Sequence, residues 1–191
     1  MIESISEYTG FSSGAAVIAM LAGIVVFVLL LWLVIPFKRY LAVWKIRNHI
    51  GKLGAKTLSN LRIPDGVDGE LFIDHLVLNG NKVIVVNVKQ YDGLIYGNET
   101  LDSWTQVVNQ RNFQFSNPLY QMKHQVMAVK SLLPELEVDG TVLFAGRSHF
   151  PKRVPEGVLT LEDIPRRASK EAVSGEVLSC WQQLQQYQHN S

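Results

Sequence analysis

The stretch LFIDHLVLNGNKVIVVNVKQYDG, Leu71 to Gly93, decides the fold. Leu71–Leu78 and Val83–Val88 are dense in Val, Ile and Leu, the composition of strands buried on both faces. Asn79-Gly80-Asn81 between them is a hairpin signal, because Gly and Asn tolerate positive φ. Asp74 and Lys89 put charge inside or at the edge of these strands, where charge needs a reason. Register decides whether they meet. A Gly80-Asn81 loop sets Asn79 opposite Lys82 and Asp74 opposite Asn87. An Asn79-Gly80 loop sets Asp74 opposite Val85, still diagonal to Asn87 on one face. A three-residue loop sends Asn87 to the other side. Asn87 and Lys89 share a face in every case, by the period of two.

Working outward, an Asp on one strand followed by acid-x-Lys on the next is the pattern of the PD-(D/E)xK nucleases. Ile73-Asp74-His75, Asn87-Val88-Lys89 through Gly93, Trp104, Asn117-Pro118-Leu119 with Gln121, and the strand Thr141–Ala145 stand here in turn. The combination resembles the nuclease-related domain (NERD) family over roughly Ile50 to Ala168. That resemblance implies an α/β (α+β) restriction-endonuclease-like domain, a central mixed sheet flanked by helices. It implies catalytic positions at Asp74, Asn87, Lys89 and Gln121, with Mg²⁺ on Asp74, Asn87 and the Val88 carbonyl. Lys89 would orient the attacking water and offset developing charge. The sequence departs from the family at its acids: the second is Asn87. The Glu after Gly-x-x-Gly in the first helix is Ala55, following Gly51-Lys52-Leu53-Gly54. An amide brings no charge, so a weakly bound Mg²⁺ and degraded catalysis are expected, with Glu70 the acid nearest in sequence to compensate. The alternative is a non-catalytic module that binds nucleic acid or a protein partner.

From the N-terminus, residues 1–14 read as a short extracytoplasmic tail. Ala15 to Ile35 is apolar without interruption and spans roughly 30 Å as a helix, the thickness of a hydrocarbon core. A cleaved signal peptide would carry a basic n-region and a shorter apolar run. All 18 Lys and Arg lie beyond Pro36, against 15 of the 17 acids, Glu3 and Glu7 being the other two. Lys38, Arg39, Lys45 and Arg47 then place the N-terminus outside and the domain in the cytoplasm, a single-pass arrangement held by membrane lipid. Trp32, Phe37, Tyr40 and Trp44 suit the interfacial belt, and residues 36–48 form a basic connector.

Beyond the connector, 49–168 is read as the nuclease-related domain and 169–191 as a C-terminal helix. Ile46, Ile50, Leu53, Leu58 and Leu61 recur at helical spacing, so a helix is expected to run to Pro64-Asp65-Gly66. GKLGAKT at Gly51–Thr57 is not a phosphate loop, since Ala55 breaks the required Gly-Lys-Ser/Thr. Leu94–Tyr96 reads as a short strand. Asn117 and Pro118 open a helix to about Leu133 that carries Gln121 and Gln125 one turn apart. Val138–Ala145 and Gly157–Thr160 read as strands, and Leu161–Ala168 and Lys170–Gln188 as helices. Arg147, Lys152 and Arg153 form a small basic patch. The single Cys180 excludes an internal disulfide, and no Ser-His-Asp or zinc spacing appears.

Overall fold

A computed structural model describes residues 13–66, 68–165 and 171–188. The chain divides into two compact units, Met1–Lys45 and Ile46–Ser191. The first is read from α1 (Ser13–Ile50), a helix that continues into the second unit. Its stretch Ala16–Val34 has a mean hydropathy of 3.1, and its side chains are exposed throughout. This helix is long and apolar enough to cross a membrane. Most of the expected outer tail lies outside the described residues.

In the second unit, β1 (Lys56–Pro64), β2 (Glu70–Asn79) and β3 (Lys82–Lys89) form an antiparallel meander. β4 (Gly93–Tyr96), β5 (Ser103–Val108) and β6 (Arg111–Ser116) follow, then α2 (Pro118–Leu132). β7 (Glu137–Phe144), β8 (Ser148–His149), β9 (Val158–Thr160) and α3 (Gly175–Gln185) complete the order. One mixed sheet runs β1-β2-β3-β7-β9, with β3, β7 and β9 parallel; a second runs β6-β5-β4-β8. The unit is thus the mixed α/β domain expected.

Both faces of the larger sheet are covered, which is why its strands carry near-continuous apolar runs. On one face Leu76, Leu78, Val83 and Val85 pack with Val129 of α2 and Val177, Trp181 and Leu184 of α3. On the other, Val77, Val86 and Leu143 meet Ile46 and Ile50 of the last turns of α1. Gly140 in β7 lies where a Cβ would strike Met122 and Val126, so its bareness lets α2 settle onto the sheet. The smaller sheet packs Ile95 and Trp104 against Leu119, Phe144 and Phe150.

The hairpin takes the first of the three registers: Asn79 faces Lys82, and Gly80 carries φ +57°. The expected helix from Ile46 to Leu61 is corrected. It ends at Ile50, a turn follows, and β1 starts at Lys56. The reason lies at Asn60, whose φ is +57°. It slips the in-out alternation, so Leu58 and Leu61 both enter the same core cluster three residues apart, a spacing that imitates a helix. The outer edge of β1 is covered at Leu61 and Arg62 by the chain after α3, through Arg62 N–H to Tyr187 O at 2.9 Å and a bridge from Leu61 to Gln188.

Two helix expectations change as well. Residues 161–164 form a turn, in which the Asp163 carboxylate takes both the N–H and the hydroxyl of Thr160 at 2.7 Å. The end of that expected helix, 166–168, lies outside the described residues. The last helix starts at Gly175 behind a Ser174 cap, and Lys170 too lies outside the description.

Candidate functional site

The site forms where β2 and β3 part. Their pairing ends at His75 opposite Val86, and the next positions in that register are Asp74 and Asn87. Asp74 also lies opposite Asn60, at the slip in β1. With the ladder ended, the Asp74 carboxylate takes the place of a strand carbonyl and accepts Val88 N–H at 2.7 Å. Strand carbonyls and amides of one residue leave on the same side, so the Val88 carbonyl also faces the β2 side. The neighbouring Lys89 carbonyl turns the other way, to Ala145 N–H at 2.9 Å.

Asn87 and Lys89 both project onto α2. Asn117 starts that helix as predicted, its side chain accepting Leu119 N–H at 3.0 Å, with Pro118 in the first turn. The cap sets the helical phase that presents Gln121 and Gln125. Lys89 Nζ donates to Gln121 Oε1 at 2.9 Å. Asn87 Nδ2 donates to Gln125 Oε1 at 3.1 Å, and Gln125 Nε2 donates to Phe72 O at 2.7 Å. Asn87 and Gln125 are each 1 % exposed, so this relay is buried. It has a direction. With Nδ2 committed to Gln125, Asn87 Oδ1 remains a buried acceptor without a partner.

Burial pushes the Lys89 ammonium below its ordinary pKa, and the Asp74 charge pulls it partly back. The two groups form no ion pair; each is held by a neutral partner. Asp74, Asn87, Lys89 and Gln121 are therefore brought together. Gln125 was read from the sequence only as sharing a face with Gln121; its role in the relay needed the docking of α2, and the Gln-x-x-x-Gln spacing was the one available signal.

Position 55 stands elsewhere. Ala55 N–H bonds Leu78 O, four residues along β2 from Asp74 or roughly 13 Å, so its identity takes no acid from this site. Glu70 does not compensate, being exposed and paired with Arg62 at 3.7 Å at the far end of β2. Among the described residues no three His, Cys, Asp or Glu side chains converge. A cation here would take one carboxylate, the partnerless Asn87 Oδ1 and the Val88 carbonyl. These are the hard oxygens Mg²⁺ accepts, and the set fits it in kind while supplying a single negative charge.

His75 turns to the other side, its Nδ1 2.8 Å from Ser59 Oγ. Burial pushes its imidazole pKa down, with Asp74 raising and Arg47 lowering it. A folded value below the unfolded one of about 6.5 means the unfolded chain binds the proton first as pH falls. Stability is then full above that value and declines below it. Thermal melts from pH 7.5 to 5 should show this loss, and His75→Gln should flatten it; an unchanged slope in the variant would remove His75 as the cause.

The chain is similar to an uncharacterized protein of Bacillus anthracis, 29% identical over 108 residues, which cover 51% of each chain. It thus spans about half the length of that curated relative. No solved structure matches it. The nuclease-related domain profile matches residues 38–145, more than half of the 191 residues and the whole of the Asp74–Gln121 arrangement. The chain belongs to the nuclease-related domain (NERD) family.

Proposed function

We propose that this is a membrane-anchored, nuclease-related protein that cleaves DNA phosphodiesters slowly at the cytoplasmic face, with a weakly held Mg²⁺. The observation that carries the reading is the convergence of Asp74 and Lys89 beside Asn87, where the family has its second acid. Asp74, Asn87 Oδ1 and the Val88 carbonyl would hold the ion, which when bound neutralises charge on the transferring phosphate. Lys89, held by Gln121, orients the attacking water and offsets negative charge as it develops. The anchor and its orientation rest on the apolar span of α1 and the basic residues Lys38, Arg39, Lys45 and Arg47 that follow it.

The test is nicking of supercoiled plasmid by the full chain in detergent, with Mg²⁺ or Mn²⁺. Lys89→Ala should lower the rate roughly a hundred-fold, the scale of a positioned proton-handling group. Asn87→Glu, which restores the missing charge, should raise it. Equal residual cleavage in Lys89→Ala would overturn the enzymatic reading. A second reading, a non-catalytic module for nucleic acid or a protein partner, is favoured by one feature: the Asn87 amide is buried and tied to Gln125. No gain in Asn87→Glu, together with unchanged nicking in Lys89→Ala, would select it.

A further inference from the structure

The smaller sheet carries a cavity of about 430 Å³ to which none of the Asp74 residues contributes. That volume lies within the range of small-molecule sites. Tyr96, Ser103 and Thr105, on one face of β4 and β5, line it together with Glu99, Lys152 and Arg153. Tyr96 and Thr105 are register partners, and Tyr96 as a residue is still 38% exposed. The cavity therefore offers an aromatic surface, three hydroxyls, two cations and one carboxylate.

Its walls are built, not incidental. Asn98 Oδ1 accepts the N–H and hydroxyl of Thr100 and the N–H of Leu101, each at 3.0 Å. The Asn98 carbonyl takes Trp104 Nε1 at 3.0 Å, and Gly97 lies so close to that indole that a Cβ would collide with it. Glu99 Oε1 takes Glu156 N–H at 2.7 Å, which ties this loop to the one carrying Lys152 and Arg153. That hydrogen bond, more than the nearby Arg153 charge, holds the Glu99 carboxyl below its usual range, so it stays an acceptor.

A bare anion is a poor match, because Glu99 repels it. A ligand with a flat ring, N–H donors and a phosphate matches the aromatic ring, the carboxylate and the two cations. We propose that the cavity takes one nucleotide unit, the base on Tyr96, its N–H groups on Glu99 and its phosphate on Lys152 and Arg153. The unit comes from a free nucleotide or from an unpaired strand. The inference shares only its ligand class with the proposed function and does not depend on cleavage.

The test is anisotropy of a fluorescein-labelled unpaired 12-mer on the full chain in detergent, in EDTA so that the Asp74 centre carries no metal. Guanosine monophosphate and inorganic phosphate serve as competitors. Tyr96→Ala should weaken binding on the order of ten-fold, and Tyr96→Phe should retain it. Two cations on that one phosphate predict a slope of log K against log salt of about −0.7, which the Lys152→Ala/Arg153→Ala pair should abolish. Lys130→Ala, removing one charge from the exposed end of α2, should leave binding unchanged. Competition by the mononucleotide at the strand's own affinity identifies a free nucleotide; a much tighter strand identifies an unpaired chain. Absence of binding, wild-type binding by Tyr96→Ala and the double variant, or equal competition by inorganic phosphate would overturn the proposal. Nicking is measured separately, so the two readings fail independently.

Discussion

Trp104→Ala is expected to cost about 3–5 kcal/mol. The indole is 0% exposed and lies nearly parallel to Phe144, with centroids 6.0 Å apart and planes at 11°. Phe150 and Phe115 meet it at steeper angles, 88° and 63°. Truncation leaves a cavity between the two sheets that these rings cannot fill, and it also strands the Asn98 carbonyl. For a domain near 150 residues, each kcal/mol is roughly 2–4 °C in Tm, so the fall should be roughly 6–20 °C. Trp104→Phe keeps most ring contacts and should recover over half of it. A fall of under 2 °C in Trp104→Ala would mean that the smaller sheet is not docked through this residue.

The second large effect is expected in the amide relay. Gln125→Leu should cost about 1–3 kcal/mol, because it leaves Asn87 Nδ2 buried without a partner and takes the donor from Phe72 O. Adding Asn87→Leu removes one orphan and should return part of the loss, so the double variant should be more stable than the sum of the singles predicts. Chemical denaturation of all four proteins measures this coupling, expected at 0.5–3 kcal/mol. Strict additivity would show that the two amides do not act as a unit. The cycle also bears on the site, since the relay fixes which way Asn87 Oδ1 points.

How far these features could be read from residues alone depends on the distance over which each is determined. The hairpin was legible because its signal is local: a Gly-Asn turn and two apolar runs. Asn117 and Pro118 marked α2 for the same reason. Asp74, Lys89 and Gln121 were legible only as a combination, from three separate elements. β1 was misread because one positive-φ residue, Asn60, converted a strand's alternation into a three-residue spacing. β6 passed unnoticed because Arg111–Ser116 is largely exposed and shows no clean apolar period. The Asn87–Gln125 bond joins residues 38 positions apart, and nothing local marks an amide that will be buried. Lys152 and Arg153 were legible as basic residues, but their place beside Tyr96 depends on the distant Glu99–Glu156 hydrogen bond.

The seam between β1 and the chain after α3 has a consequence for solubility. Where Tyr187 and Gln188 lie against Arg62 and Leu61, that part of the β1 edge is covered. Fraying of α3 would strip that cover and turn β1 into a template for strand addition by a neighbouring molecule. Loss of the C-terminal seal should therefore lead to aggregation before the core melts.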